Sequence, residues 1–557
     1  MPRLLISPRF RFFYTFLSMG FVLLALSTLV PCPAAGKTDY DVVVIGAGGG
    51  GLAAGARLAR AGMSVLLIEQ HSKVGGYMSE FYRGDYTFEV SLHGMDGLDS
   101  GGLHATLLDR LGIVDAIAPV RLDPMYHAVY PDFELTVPAD ISAYLQRLTA
   151  QFPEESEGLE RLFADMDRIY RAMLYLVRLQ EGQFSQALEL FNAYDFQLLL
   201  AYRNATLSDL LDDYVQDEQL LAVLTQLVSY GGNAPDRISA PFFAFFWNSF
   251  HRGGFYYFEG GSQSVSNALA DVITAHGGDI LLSTAAEKIS IMNGRAVAVV
   301  TDEGLRYTCR YVVSNVNAPD TYETLIGYEY LPARFAGRLK TFTIRISWFQ
   351  VYLGVDHDYS SAFPDGTHEI AVNPGYDQNE HFNAFAAGRP EEIPFYIMNY
   401  TLADTGTAPQ GKSVIVLSTC MPYNWKNDWY EFEDYEKYRQ LKHEVADILI
   451  KRAEGVLPGL AEHVEVIEVG SPRTMEHYTR NPGGAILGWE NTPDQVLFNR
   501  LPQQTPIPNV LLAGAWTFPC GGQSAVLESG RLAAEKILVR ECVPFQKVQG
   551  RESSPAR

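Results

Sequence analysis

Gly46-Ala47-Gly48-Gly49-Gly50-Gly51 is the stretch of this sequence whose residue types and spacing speak most directly of chemistry. It satisfies the spacing G-x-G-x-x-G. In such a loop Gly46 permits a tight turn, Gly48 lets the backbone approach a pyrophosphate, and Gly51 lets a helix pack closely on a strand. Free N–H groups, Ala47 among them, and the helix dipole then face negative phosphates. The spacing alone says little, because any glycine-rich loop can match it. Here the context fits: the run follows a short β-branched stretch, 41–45, and opens a helical one, 52–61. A second apolar stretch, 64–68, completes a strand–helix–strand unit and leads into Glu69, 18 residues after Gly51. A carboxylate there can accept hydrogen bonds from both hydroxyls of an adenosine ribose. It would repel a 2′-phosphate, so NADP is disfavoured in this slot.

The fingerprint by itself fits FAD and NAD equally. Two further features separate them. Gly75 and Gly76 follow Glu69 by a short loop, and a paired glycine at this place resembles FAD enzymes of the glutathione-reductase type. Near the other end, residues 509–522 read as a strand and a glycine-rich turn, followed by a helix that contains Ser529 and Gly530. Gly514, Ala515 and Gly522 are its candidate cofactor contacts. Such a turn can present backbone N–H groups to a flavin, and a helix N-terminus stabilises negative charge on the reduced ring.

These segments need a large scaffold. A chain of 557 residues implies two or more domains. The spacing predicts a helix over 265–275, a hairpin of strands 286–292 and 296–302 around Asn293-Gly294, short strands at 311–314 and 510–513, strands within 342–355 and 413–419, and a helix over 525–538. Residues 135–230 read as largely helical. The expected architecture is α/β: a Rossmann-like FAD-binding domain of glutathione-reductase type, interrupted by a mixed α/β substrate domain and a helical region. The expected division is 39–110, 251–330 and 496–541 for the FAD-binding parts, 111–250 and 331–495 for the substrate and helical parts, and 542–557 for a flexible tail.

The net charge of −22 disfavours nucleic-acid binding, which needs a positive surface. The five cysteines, Cys32, Cys309, Cys420, Cys520 and Cys542, form no C-x-x-C pair, so no zinc or dithiol motif is legible. Arg3, Arg9 and Arg11 precede an apolar run from Phe12 to Val30, and small residues follow it. Residues 1–36 therefore read as a signal peptide or a membrane anchor. Either reading expects the folded part on the exported side of a membrane, bacterial periplasm or ER lumen.

The sequence resembles the superfamily of phytoene desaturases, carotenoid isomerases and retinol saturases, all FAD proteins. The resemblance rests on blocks: Gly46–Gly76, Tyr86–His93, Phe258–Gly261 with Gly277-Gly278, Val313–Asn315 and Gly514–Gly530. Departures from the common pattern include Glu89 for Asp, Ser91 for Gly, Cys520 for Gly, Ala515 for Asp, and Ala525 for the Gly of desaturases. The last leans toward the isomerase–saturase side. The resemblance implies a long apolar polyene or isoprenoid in a tunnel over the flavin, a membrane surface as partner, and hydride transfer at flavin N5 with NAD(P)H or another external electron donor or acceptor. It also places the Ala286 backbone near the adenine.

Glu89 and His93 are the candidate catalytic residues beside the flavin; the plainer roles are backbone pinning for Glu89 and core packing for His93. Trp348, Phe349 and Tyr352 are candidate tunnel walls, and Tyr478 with Gly483-Gly484 a candidate substrate loop. Two other functions share the expected fold: a flavin amine oxidase and a non-catalytic prenyl-lipid escort. The intact Glu69, Gly75-Gly76 and Gly514–Gly522 argue against the escort.

Overall fold

The computed structural model describes residues 37–99, 102–180, 188–345, 347–430 and 434–542. The expected signal peptide or anchor and the C-terminal tail lie outside these residues, apart from Cys542. Among the described residues no helix is long and apolar enough to cross a membrane.

Strand Asp39–Ile45 is apolar on both faces because it is central: Val42, Val43 and Val44 are fully buried. It pairs in parallel with Val65–Ile68 on one side and Arg306–Ser314 on the other. Asp279–Leu281 extends the sheet beyond Val65–Ile68, and Val510–Leu512 adds in parallel to the far half of Arg306–Ser314. The hairpin Ala286–Met292/Arg295–Thr301 pairs antiparallel along the near half. Its turn has positive φ at Asn293 and Gly294, as the Asn-Gly signal requires. This is the expected Rossmann-like sheet.

The fingerprint helix, Gly49–Arg60, and the C-terminal helix, Gln523–Arg540, lie side by side against the sheet. At its closest point their contact has no room for a side chain: a Cβ on Gly530 would sit 2.0 Å from the Gly50 carbonyl oxygen. Within the fingerprint loop itself, a Cβ on Gly51 would sit 1.9 Å from the Gly46 oxygen. A buried ion pair across the contact fixes the register: Arg57 Nε donates to Glu535 at 2.7 Å.

The second layer is a seven-stranded sheet in the order 464–470, 347–355, 413–421, 395–399, 369–372, 126–129, 134–137. All its pairings are antiparallel except 369–372 with 126–129. The stretch expected to be largely helical begins with the strand Glu134–Val137. It then holds helices Ile141–Gln151, Ser156–Gln180, Ala193–Tyr202, Leu207–Leu211 and Glu218–Leu224. A phenylalanine-rich helix, Ala240–Gly253, packs on Ser156–Gln180.

The Gly530 contact yields a direct test. Gly530→Ala forces the two helices apart and costs about 1–3 kcal/mol in equilibrium urea unfolding. Unchanged stability would show that the two helices leave room for a methyl group at Gly530.

Candidate functional site

Two helix N-termini open onto one cavity of about 680 Å³, inside the roughly 300–1,000 Å³ range of small-molecule sites. Neither is capped by a side chain: the N-cap is Gly48 for the fingerprint helix and Gly522 for the C-terminal helix. First-turn N–H groups without a cap are ready donors to an anion, and the helix dipoles favour negative charge there. Gly522 has φ +107°, and a Cβ on it would meet nothing within 4 Å. That open space is cavity.

The loop around the first N-terminus is drawn tight. Asn315, at the end of strand Arg306–Ser314, wedges its amide among three glycines. A Cβ on Gly48, Gly50 or Gly514 would come within 2.8, 2.5 or 2.5 Å of it, respectively. Glu69 Oε2 accepts from the Ala47 N–H at 2.6 Å and Oε1 from the His71 N–H at 2.7 Å. Its carboxylate is thus fixed at the cavity edge. Gly75 donates its N–H to the Ala47 carbonyl at 2.9 Å and has φ +123°, which only glycine adopts without strain. The residues fit a dinucleotide with an adenosine ribose at Glu69 and phosphates at the glycine loop.

Of the sequence candidates, Gly46, Gly48, Glu69, Gly75, Gly76, Ala286, Gly514, Ala515, Gly522 and His93 border the cavity. Gly51 stands behind it as helix packing, and Ala47 contributes through its bond to Glu69. Trp348 lies on the wall while Phe349, on the opposite face of the same strand, stacks on Trp429. Tyr352 donates to the Val90 carbonyl at 3.0 Å instead. Tyr478 is at the cavity edge, whereas Gly484 packs against the Pro472 carbonyl.

Glu89 stands behind the cavity wall, not in it, which fits the backbone-pinning role rather than the catalytic one. Its Oε1 accepts from Ser262 Oγ at 2.7 Å and from the Ser91 and Leu92 N–H groups at 3.2 and 3.1 Å. Oε2 accepts from the Ser262 N–H at 2.8 Å. Burial pushes its pKa up, against these hydrogen bonds. Glu89 ties the first turn of helix Gly261–Ala275 to the turn that leads into His93, a positioning role.

Two charged groups on the cavity, Asp96 and His104, and one behind it, Arg500, were not read from the sequence. Asp96 pairs with His104 at 3.4 Å, accepts from Ser524 Oγ at 2.6 Å and also bonds Ser249 Oγ. Burial alone would raise the Asp96 carboxyl; His104 and the two serines outweigh it and hold it at about 2. The same pairing raises His104 against its own burial. Beyond Asp96 the wall turns apolar. Phe242, Phe245, Phe246 and Phe250 of the phenylalanine-rich helix face Met173 and Val177. Arg500, buried beneath Ala515, donates to the Ala515 carbonyl at 2.8 Å and to the Trp489 carbonyl at 3.0 Å; burial lowers its pKa to about 10.

The family model described as flavin containing amine oxidoreductase matches residues 50–538. The chain belongs to that family. The family implies a flavin cofactor, and the two uncapped helix N-termini fit such a group. The chain is similar to prolycopene isomerase of Daucus carota, 25% identical over 90% of this chain and 80% of that one. It is also similar to human all-trans-retinol 13,14-reductase, 26% identical over 90% of this chain and 86% of that one. Among solved structures, an oxidoreductase from Methanosarcina mazei superposes with a TM-score of 0.58 at 17% identity, covering 90% of this chain and 100% of that one. Putrescine oxidase bound to putrescine gives 0.57 at 16%, with coverage of 90% and 100%. At such identity these two show the shared fold.

Because Asp96 is depressed, its stabilisation is present above the ordinary carboxylate range and fades as pH falls through about 2. His104 is raised, so its share is present below its ordinary value and fades as pH climbs past the raised one. Asp96→Asn leaves His104 buried without its partner. We expect a loss on the order of 3 kcal/mol at pH 6, shrinking at alkaline pH, in urea unfolding followed by circular dichroism. A small, pH-independent loss would contradict the pairing.

Proposed function

We propose that this flavin-family oxidoreductase acts on carbon–carbon double bonds of a long apolar polyene or isoprenoid lipid. The observation that carries the reading is the continuity of one cavity, from the glycine loop past Gly522 to the pouch lined by Phe242, Phe245, Phe246 and Phe250. An apolar pouch of that make-up suits a hydrocarbon chain. The similarity to prolycopene isomerase and retinol reductase supports it. A bound flavin supplies hydride exchange. The chain's own residues hold it through the 46–51 loop, Glu69, Gly75-Gly76 and the 514–522 turn, and the phenylalanine wall excludes water from the reacting bond. Reoxidation or re-reduction falls to an external electron carrier, NAD(P)H included.

A membrane surface is the proposed source of substrate. Leu188, Phe191, Tyr194 and Leu200 are exposed on and beside helix Ala193–Tyr202, which packs on the helix that carries Met173 and Val177 to the pouch. An apolar face of this kind beside the pouch suits a bilayer.

The test is product analysis after incubating FAD-loaded protein with retinoids and carotenoids in phospholipid vesicles, with and without reductant, beside putrescine and cyclohexylamine. Conversion of a polyene and no flavin reduction by amines is the expected outcome. Phe191→Asp with Leu200→Asp slows conversion from vesicles but not from detergent. Rapid flavin reduction by the amines, with polyenes untouched, would replace this reading with an amine oxidase.

A further inference from the structure

A double bond that gains or loses a hydride at one carbon must exchange a proton at the other. A general acid–base group within reach of that carbon, with a pKa near the working pH, therefore belongs on the wall. Several titratable side chains border the cavity, most of them already engaged: Glu528 is tied to Arg531, Asp320 accepts from Asn317, burial pushes Tyr77 up to about 12, and Tyr478 stands at the edge. Asp96 and His104 are spent on each other. Cys520 is pushed up to about 11 by burial. Tyr230 is raised well above its ordinary value by burial and by Glu369. Glu69 belongs to the glycine-loop end.

His93 is held differently. Its Nδ1 lies 3.0 Å from Glu369 Oε2 and 2.8 Å from the Tyr230 hydroxyl oxygen. That hydroxyl lies 2.9 Å from both Glu369 oxygens, so its one proton goes to the carboxylate. The remaining proton between ring and carboxylate must sit on Nδ1. This leaves Nε2 with its lone pair, and Nε2 has no hydrogen-bond partner among the described residues while the ring borders the cavity. Trp348, Tyr230 and Tyr396 surround the imidazole edge-on at 5.4, 5.3 and 5.7 Å and fix its plane. The other charged or titratable neighbours are Glu369 on strand Glu369–Val372, Tyr396 on strand Phe395–Asn399, and His368, which burial pushes toward the neutral form and which donates Nε2–H to the His93 carbonyl at 2.9 Å.

We propose that His93 Nε2 exchanges the proton of the alkene chemistry, with Glu369 and Tyr230 as positioning residues. The inference rests on the polyene reading above. In the saturating direction the Nε2–H bond of the imidazolium breaks and a C–H bond forms at one alkene carbon. The other carbon takes a hydride from reduced flavin, the π bond is lost, and the flavin is oxidised by two electrons. His93 is left neutral and regains a proton from water. Desaturation runs the same atoms backwards, with oxidised flavin taking the hydride. Glu369 fixes the tautomer and the ring orientation, as a buried carboxylate does for other catalytic histidines.

The experiment compares wild type, His93→Gln, Glu369→Gln and Tyr230→Phe by FAD content, polyene conversion against pH, and nitrogen-15 NMR of labelled histidine with the His93 signal assigned by its loss in His93→Gln. We expect His93→Gln to keep one FAD per chain and the flavin spectral change on adding polyene, yet to lose about 10²–10⁴-fold in conversion. In NMR the His93 ring is the Nδ1–H tautomer, and Glu369→Gln, which no longer demands the proton on Nδ1, lowers both the Nδ1–H population and conversion. Should His93→Gln fail to hold FAD, His93→Asn and the NMR of wild type against Glu369→Gln carry the test. Wild-type conversion matched by His93→Gln, or an Nε2–H tautomer, overturns the proton assignment and leaves the polyene reading standing. Wild-type protein that converts no polyene overturns that reading itself.

Discussion

The functional architecture hangs on one close contact, the fingerprint helix Gly49–Arg60 against the C-terminal helix Gln523–Arg540. The Gly530 Cα and the Gly50 carbonyl meet with no side chain between them. Hundreds of residues separate the two helices in sequence, yet this contact sets their N-termini at one cavity. Each is capped by glycine, so each offers bare N–H groups. Buried ion pairs such as Arg57–Glu535 contribute less to stability than to register, because a slipped helix would strand a charge. A dinucleotide carries negative charge at its phosphates and, when reduced, at its flavin. Two helix dipoles aimed at one cavity would suit both.

The second sheet serves this cleft from the other side. Strand 347–355 places Trp348 and Gln350 on the cavity and Phe349 away from it, by simple alternation. Strand Glu369–Val372 delivers Glu369 beneath His93, and Glu89 pins the turn that carries His93. The wall therefore changes character along its length: backbone donors first, then a small set of buried hydrogen-bonded polar groups, then phenylalanine. Such an order suits a charged cofactor at one end and a hydrocarbon at the other.

What was legible in the sequence was local. The glycine spacing, the β-branched strands on either side, Glu69 and the Asn-Gly turn all act within one strand–helix–strand or hairpin unit, where periodicity and turn chemistry decide the fold. Asp96, His104, Tyr230 and Glu369 were not legible, because no motif surrounds them. Glu369 is 276 positions from His93, and only the pairing of strands brings them together. Asn315 had a faint signal in its block with Val313, but its wedge among three glycines exists only once the sheet has closed. Glu89 was legible as a candidate with two roles, and of these its hydrogen bonds fit backbone pinning: its lone pairs go to backbone and serine groups rather than to the cavity. The strand Glu134–Val137 escaped notice because it is four residues long beside strongly helical segments.

The most direct measurement of the central claim is flavin stoichiometry. Full-length protein, purified and titrated with FAD, should carry or take up one FAD per chain with the absorption bands of bound oxidised flavin, and Gly522→Val, which fills the open space at the second helix N-terminus, should weaken that binding. Protein that stays colourless and takes up no FAD on titration would contradict the account that the two uncapped helices hold a flavin.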